Sequence, residues 1–182
     1  MPPFPHECII VAGSFDILHD GHHLLFHAAF SHGARVEIWL TDDAMVCAKA
    51  ARLGCAPLTS WAARAARVAA WADAQTEDSA RDFFARAAGA LGDIAAAAAL
   101  PVLTAPYAGR YSMHELSDAL GPASTDARFT AVACSEETRA GVDAVNAART
   151  ERGLPVLDVI VVPLWMEAGG AAKLSSSAMR KK

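Results

Sequence analysis

Two histidines three residues apart, His19 and His22, stand in the run Gly13-Ser14-Phe15-Asp16-Ile17-Leu18-His19-Asp20-Gly21-His22. The apolar segment before it, residues 8–12, reads as a buried strand, and Leu24-Leu25-Phe26-His27-Ala28-Ala29-Phe30 after it has apolar residues at helical spacing. A strand, a glycine-bearing turn and a helix start therefore surround the two imidazoles. The free N–H groups of a helix N-terminus favour anions, so a phosphate fits where the histidines point. This pattern describes a site that handles a nucleotide.

A second run, Lys173-Leu174-Ser175-Ser176-Ser177-Ala178-Met179-Arg180, reads as a helix start rich in hydroxyls, with an arginine one turn further on. Ordinary N-capping accounts for serines there, but the same hydroxyls and N–H groups also suit phosphate oxygens. Taken together, Gly-Ser-Phe-Asp…His-x-Gly-His and Ser-Ser-Ser-x-x-Arg resemble the paired signatures of the HxGH nucleotidyltransferases. A third block resembles one subgroup, the archaeal and eukaryotic type of phosphopantetheine adenylyltransferase. It comprises Ser135-Glu136-Glu137-Thr138-Arg139, Asn146-Ala147-Ala148-Arg149 and Gly153-Leu154, with Thr41-Asp42-Asp43-Ala44-Met45, Lys49 and Gly121 to Asp126 beside it.

That resemblance implies transfer of AMP from ATP to 4′-phosphopantetheine, giving dephospho-CoA and pyrophosphate, with Mg²⁺ carried by ATP. It implies catalytic roles for His22, Lys49 and Ser14. ATP would be held by Gly13, His19, Gly21, Ser135, Glu136, Thr138, Ser175, Ser176, Ser177 and Arg180. The acceptor would be held by Ser14, Lys49 and Arg64, with Arg67 one turn beyond Arg64; Arg139 and Arg149 are candidate phosphate or ribose contacts. A phosphate nucleophile is already ionised, so the chemistry needs donors and cations, not a general base. Alternatives are a related nucleotidyltransferase with another acceptor, such as nicotinamide mononucleotide, and a degenerate nucleotide-binding subunit. His19, His23 and His27 also follow an i, i+4, i+8 spacing that suits a metal face. However, His19 precedes Gly21 and falls outside the helix, so no protein-held metal is expected.

The 182 residues suit a single domain, and 53% hydrophobic content with a net charge of −4 is globular and does not favour nucleic acid. Any polyphosphate must then be held by local cations and amides. No stretch reads as a membrane span or a secretory signal, and the four cysteines show no C-x-x-C pairing, so a cytoplasmic setting with reduced thiols is expected. Cys8 and Cys134 read as small core residues.

Strands are expected at 7–12, 34–40, 101–105, 129–134 and 156–163, and helices at 21–32, 59–74, 79–91 and 136–152. The alternation predicts an α/β fold, a Rossmann-like doubly wound parallel sheet of five strands, with ligands at the carboxyl ends. Residues 74–118 read as a helical and loop insertion. Ser79 with Asp82 is the expected capping box of its helix.

Overall fold

The computed structural model describes residues 4–54, 59–91 and 106–166. Strand β1 (His6–Gly13) leads through the motif turn into α1 (Asp20–His32), followed by β2 (Gly33–Thr41) and α2 (Asp43–Leu53). Next come α3 (Trp61–Asp73), α4 (Glu77–Leu91) and β3 (Tyr111–Leu116). After a 3₁₀ turn at Pro122–Ser124 the chain forms β4 (Ala131–Ser135), a second 3₁₀ turn at Glu136–Thr138, α5 (Arg139–Glu151) and β5 (Asp158–Val162). The strands form one parallel sheet in the order β3-β2-β1-β4-β5. The order reverses at β1, so the turn after β1 lies at the switch point where such sheets bind ligands.

Alternate residues of the central strands feed two cores. Ile9, Val11, Val36, Ile38 and Leu40 pack against Leu24, Phe26 and Phe30 of α1 and Val68 of α3. Cys8, Ile10, Val132 and Cys134 face the other way, onto Val142 and Val145 of α5. Both cysteines are buried free thiols, as their strand setting predicts. Burial on both faces is why these strands read as continuous apolar runs. Among the described residues no helix is long and apolar enough to cross a membrane.

Three elements differ from the sequence reading. The edge strand at 111–116 lies inside the span read as helix and loops; Tyr-Ser-Met-His-Glu-Leu is half-exposed and lacks the apolar run of a central strand. The strand expected at 101–105 lies outside the described residues. Helix α2 was not anticipated: Asp42 caps it by accepting from Met45 N at 2.7 Å, and Gly54 closes it in the left-handed conformation at φ 61°. Helix α4 begins earlier than the Ser79/Asp82 pairing suggests. Thr76 and Ser79 exchange hydrogen bonds, Thr76 N donating to Ser79 Oγ at 2.9 Å and Ser79 N to Thr76 Oγ1 at 3.1 Å.

A cluster of aromatic rings joins α1 to α3, α4 and the approach to β3. His27, 1% exposed, lies at its centre, with Nδ1 2.6 Å from the Tyr107 hydroxyl and its ring against Phe83 and Trp71. His23 stacks on Trp71 and hydrogen-bonds Asp20 at 3.3 Å. Both rings of the candidate metal face are therefore engaged by protein partners. Burial, with the charges of His23 and Arg86 adding to it, lowers the pKa of His27 to about 3. An unfolded histidine titrates near 6.5, so the unfolded chain binds protons first as pH falls. Stability is then lost progressively from about pH 6.5 downward. Thermal midpoints should fall between pH 7 and pH 4, and the paired variant His27→Phe/Tyr107→Phe, which leaves neither polar group unpartnered, should show a shallower slope. An equal slope would mean that His27 contributes nothing to the acid response.

Candidate active site

The turn that joins β1 to α1 is built on one strained residue. Phe15 has φ 46°, the only positive φ recorded for a non-glycine among the described residues. An aromatic residue there costs on the order of 1–3 kcal/mol and persists only when its surroundings impose it. Its ring is 2% exposed, packs against Phe26 with centroids 4.9 Å apart, and meets His22 edge-on at 5.3 Å. Gly13 is needed because a Cβ there would stand 2.8 Å from that ring. Gly21 is similarly tight, with a Cβ falling 3.1 Å from the His19 ring and 3.4 Å from Trp165 Cβ.

His19 is the N-cap residue of α1, yet its side chain makes no capping bond; its carbonyl accepts from His22 N and His23 N. The imidazoles of His19 and His22 stack, with centroids 3.8 Å apart and planes 22° from parallel. Nδ1 of each is buried with no hydrogen-bond partner. Buried polar groups are normally satisfied, so two unpartnered nitrogens side by side are exceptional in a folded chain. Desolvation, with neighbouring histidines adding to it, lowers His22 to about 3 and His19 to about 4. Both are therefore neutral near pH 7. Lys49, exposed on α2, is close enough that its charge adds to the depression at His22.

Arg64 does something other than the acceptor contact expected of it. It is fully buried, and its guanidinium is spent on the protein itself. Nε donates to Thr59 O at 2.9 Å, Nη1 to Ser14 O at 2.8 Å, and Nη2 to Thr41 O at 2.8 Å and Asp43 Oδ1 at 3.0 Å. Asp43 also accepts from Trp61 N at 2.6 Å, which ties α2 to the start of α3. Arg149 is likewise 1% exposed and donates to the carbonyls of Pro155, Ala123, Asp126 and Phe129, so it is a structural tie and not a phosphate contact. Asn146 exchanges two bonds with the backbone of Leu157. The Asn-x-x-Arg block thus fixes the path from α5 into β5.

Ser135, Glu136 and Thr138 stand at the carboxyl end of β4, on the same sheet edge as Gly13 and Ser14. Ser135 and Thr138 form a capping box, Ser135 N donating to Thr138 Oγ1 at 3.1 Å. Glu136 and Thr138 are exposed, and Thr138 borders a cavity of about 160 Å³ on the α5 side of the sheet. Its walls include Ala12, Leu116, Pro122, Val142 and Val145. The sequence reading did not assemble these walls, because apolar residues from β1, β3, α5 and the 3₁₀ turn meet only in the fold. Ser175, Ser176, Ser177 and Arg180 lie outside the described residues.

A family model described as Cytidylyltransferase-like matches residues 10–182. The chain belongs to this family. Among curated relatives, the phosphopantetheine adenylyltransferase of Thermococcus kodakarensis is 30% identical over 172 residues, 94% of this chain and 83% of its own. That of Pyrococcus furiosus is 29% identical over 175 residues, 96% and 88% of the two chains, and that of Methanopyrus kandleri 28% over 172 residues, 94% and 87%. A crystal structure of a protein of unknown function from Archaeoglobus fulgidus shares the fold, with a TM-score of 0.57 at 20% identity over 85% of this chain and 87% of that one.

In this cytidylyltransferase-like chain the arginine tie and the exposed lysine make opposite demands on stability. Arg64→Met strands three carbonyls and the Asp43 carboxylate and should cost about 3–5 kcal/mol in urea unfolding. Lys49→Ala on the surface of α2 should stay within about 0.5 kcal/mol. A mild Arg64→Met would show that water replaces the guanidinium.

Proposed function

We propose that this chain transfers the adenylyl group of ATP to 4′-phosphopantetheine, forming dephospho-CoA and releasing pyrophosphate. The observation that carries the reaction class is the stacked, neutral pair His19 and His22 at the switch point of the sheet. The acceptor is supported by the activity named for the relatives and by the apolar cavity at the same edge, which suits a flexible, largely uncharged arm.

The acceptor phosphate attacks the α-phosphorus of ATP. A P–O bond forms to the acceptor as the bond to the β-phosphate oxygen breaks, and pyrophosphate carries the electron pair away. No proton has to leave the nucleophile. The protein's task is to align the two phosphates and to neutralise charge as it builds. Neutral imidazoles donate N–H bonds to phosphate oxygens, and the approaching anion raises their pKa values and strengthens the contact. Ser14, half-buried with its carbonyl fixed by Arg64, offers a hydroxyl to the acceptor phosphate. Lys49 supplies mobile positive charge between donor and acceptor. Gly13 and Gly21 keep the backbone open to the phosphates. ATP's adenosine would lie toward Ser135 and Glu136, and Ser175, Ser176, Ser177 and Arg180 would hold its outer phosphates. Thr138 borders the acceptor cavity as well.

Magnesium enters as the partner of ATP. The ion prefers phosphate oxygens and retained water to an all-protein cage. The carboxylate within the turn, Asp16, is bonded to Thr59 N at 3.2 Å and Thr59 Oγ1 at 3.1 Å, which fits a loop-holding part better than an ion ligand.

The test is an incubation with ATP, Mg²⁺ and 4′-phosphopantetheine, following dephospho-CoA and pyrophosphate by chromatography. Equal amounts of both products are expected. His22→Ala should lower kcat by about 10²–10³, the cost of removing one preorganised donor, with its thermal midpoint little changed. Turnover only with nicotinamide mononucleotide or another acceptor would overturn the substrate. Full activity in His22→Ala would overturn the mechanism.

A further inference from the structure

Arg64 is not the only arginine on the motif turn. One helical turn along α3, Arg67 donates from Nη1 to Asp16 O at 2.6 Å and from Nη2 to Thr59 Oγ1, while Nε bonds Ala63 O in its own helix at 3.2 Å. Thr59 in turn donates from both N and Oγ1 to the Asp16 carboxylate. The carbonyl of Ser14 is thus held by Arg64 and that of Asp16 by Arg67. Phe15 lies between them with φ 46°.

A residue in that conformation persists only when its surroundings over-determine it. Two arginines three residues apart on one helix face hold the turn on either side of it, Arg64 at the Ser14–Phe15 peptide and Arg67 at the Asp16–Ile17 peptide. What Phe15 does with its enforced conformation is visible in its contacts: its ring sits edge-on to His22 and fills the space beside Gly13. We infer that Arg67 is a positioning residue for His22, acting through the Asp16 peptide and Thr59 to hold Phe15 beneath the imidazole. Resting on the adenylyl-transfer reading of the site, the inference adds a residue that touches neither substrate.

Arg67 is only half-buried, so it can be replaced without emptying the core. The experiment compares Arg67→Met, Arg67→Lys and Thr59→Val with the wild-type chain. Three readouts are taken: the thermal midpoint, kcat and KM for ATP, and the imidazole carbon–proton signals of His22, assigned by their loss in His22→Gln. In Arg67→Met the His22 signals should shift, because the ring beneath them moves. Its kcat should fall about tenfold to a hundredfold, the scale of a slight misplacement of a catalytic group. KM for ATP should stay within about twofold and the midpoint within a few degrees.

Lysine keeps the charge but lacks the two-point fork, so Arg67→Lys should resemble Arg67→Met. Thr59→Val, which keeps the shape and removes the shared hydroxyl, should move both readouts in the same direction and serves where an Arg67 variant does not fold. Unmoved His22 signals in the folded variants would overturn the inference. So would full activity in Arg67→Lys, which would make Arg67 a cation facing phosphate. Shifted His22 signals in a chain with no turnover of phosphopantetheine would leave Arg67's role standing and remove the acceptor reading instead.

Discussion

The buried guanidinium of Arg64 is the constraint on which the catalytic edge depends. It takes carbonyls from three separate pieces of chain, namely Ser14 in the motif turn, Thr41 at the end of β2 and Thr59 ahead of α3, and adds the carboxylate of Asp43. A charge with no exposed surface is costly to desolvate, and it is tolerated only when its donors are met in good geometry. Here the planar fork of arginine meets that condition, which a lysine cannot do. The loops after β1 and β2 are thereby locked to one helix. Ser14 is carried on the first of these loops, and Lys49 stands on the helix that follows the second.

Arg149 applies the same solution on the opposite side of the sheet. It gathers carbonyls from the 3₁₀ turn after β3, from the loop before β4 and from the approach to β5. The wall of the apolar cavity is formed in part by that 3₁₀ turn. The two faces of the switch point thus each have a buried arginine fixing irregular backbone that neither sheet nor helix would order. Loops of this kind carry function because the scaffold beneath them is rigid, and in this chain the rigidity comes from side chains reaching into the loops.

This division of labour explains what could be read from the sequence. The strand–glycine–histidine pattern announced the switch point because its signals are local: an apolar run, glycines at close approaches and imidazoles at a helix start. The parallel character of β1, β2, β4 and β5 followed from apolar runs separated by helical periods, while their order in the sheet did not. The edge strand β3 was not legible, since a strand with one free edge and half-exposed faces carries no such run, and α2 is too alanine-rich and exposed to show a clear stripe. Motif matching located Arg64 and Arg149 but did not separate binding from bracing. An arginine that grips phosphate and one that grips carbonyls have the same residue type, and only burial distinguishes them. Arg67 appeared in the sequence only as a neighbour of Arg64 and Thr59 not at all, because the residue that joins them to the turn, Asp16, is distant in sequence.

The neutrality of the histidines follows from the same packing. His22 stacks on His19 and rests on Phe15, and this loss of water is the leading cause of its lowered pKa. Had the imidazoles been exposed, they would be partly charged near neutral pH and would exchange hydrogen bonds with water before meeting a phosphate. Held neutral, they would on the proposed reading gain from an anion placed against them, the more so the greater its negative charge. A chain with net charge −4 offers no general attraction to a triphosphate. On the proposed reading, attraction for the reacting phosphates comes from local groups, the desolvated pair and Lys49 among them. The strain at Phe15 and the desolvation of His19 and His22 are thus two consequences of one arrangement, the packing of the turn against α1.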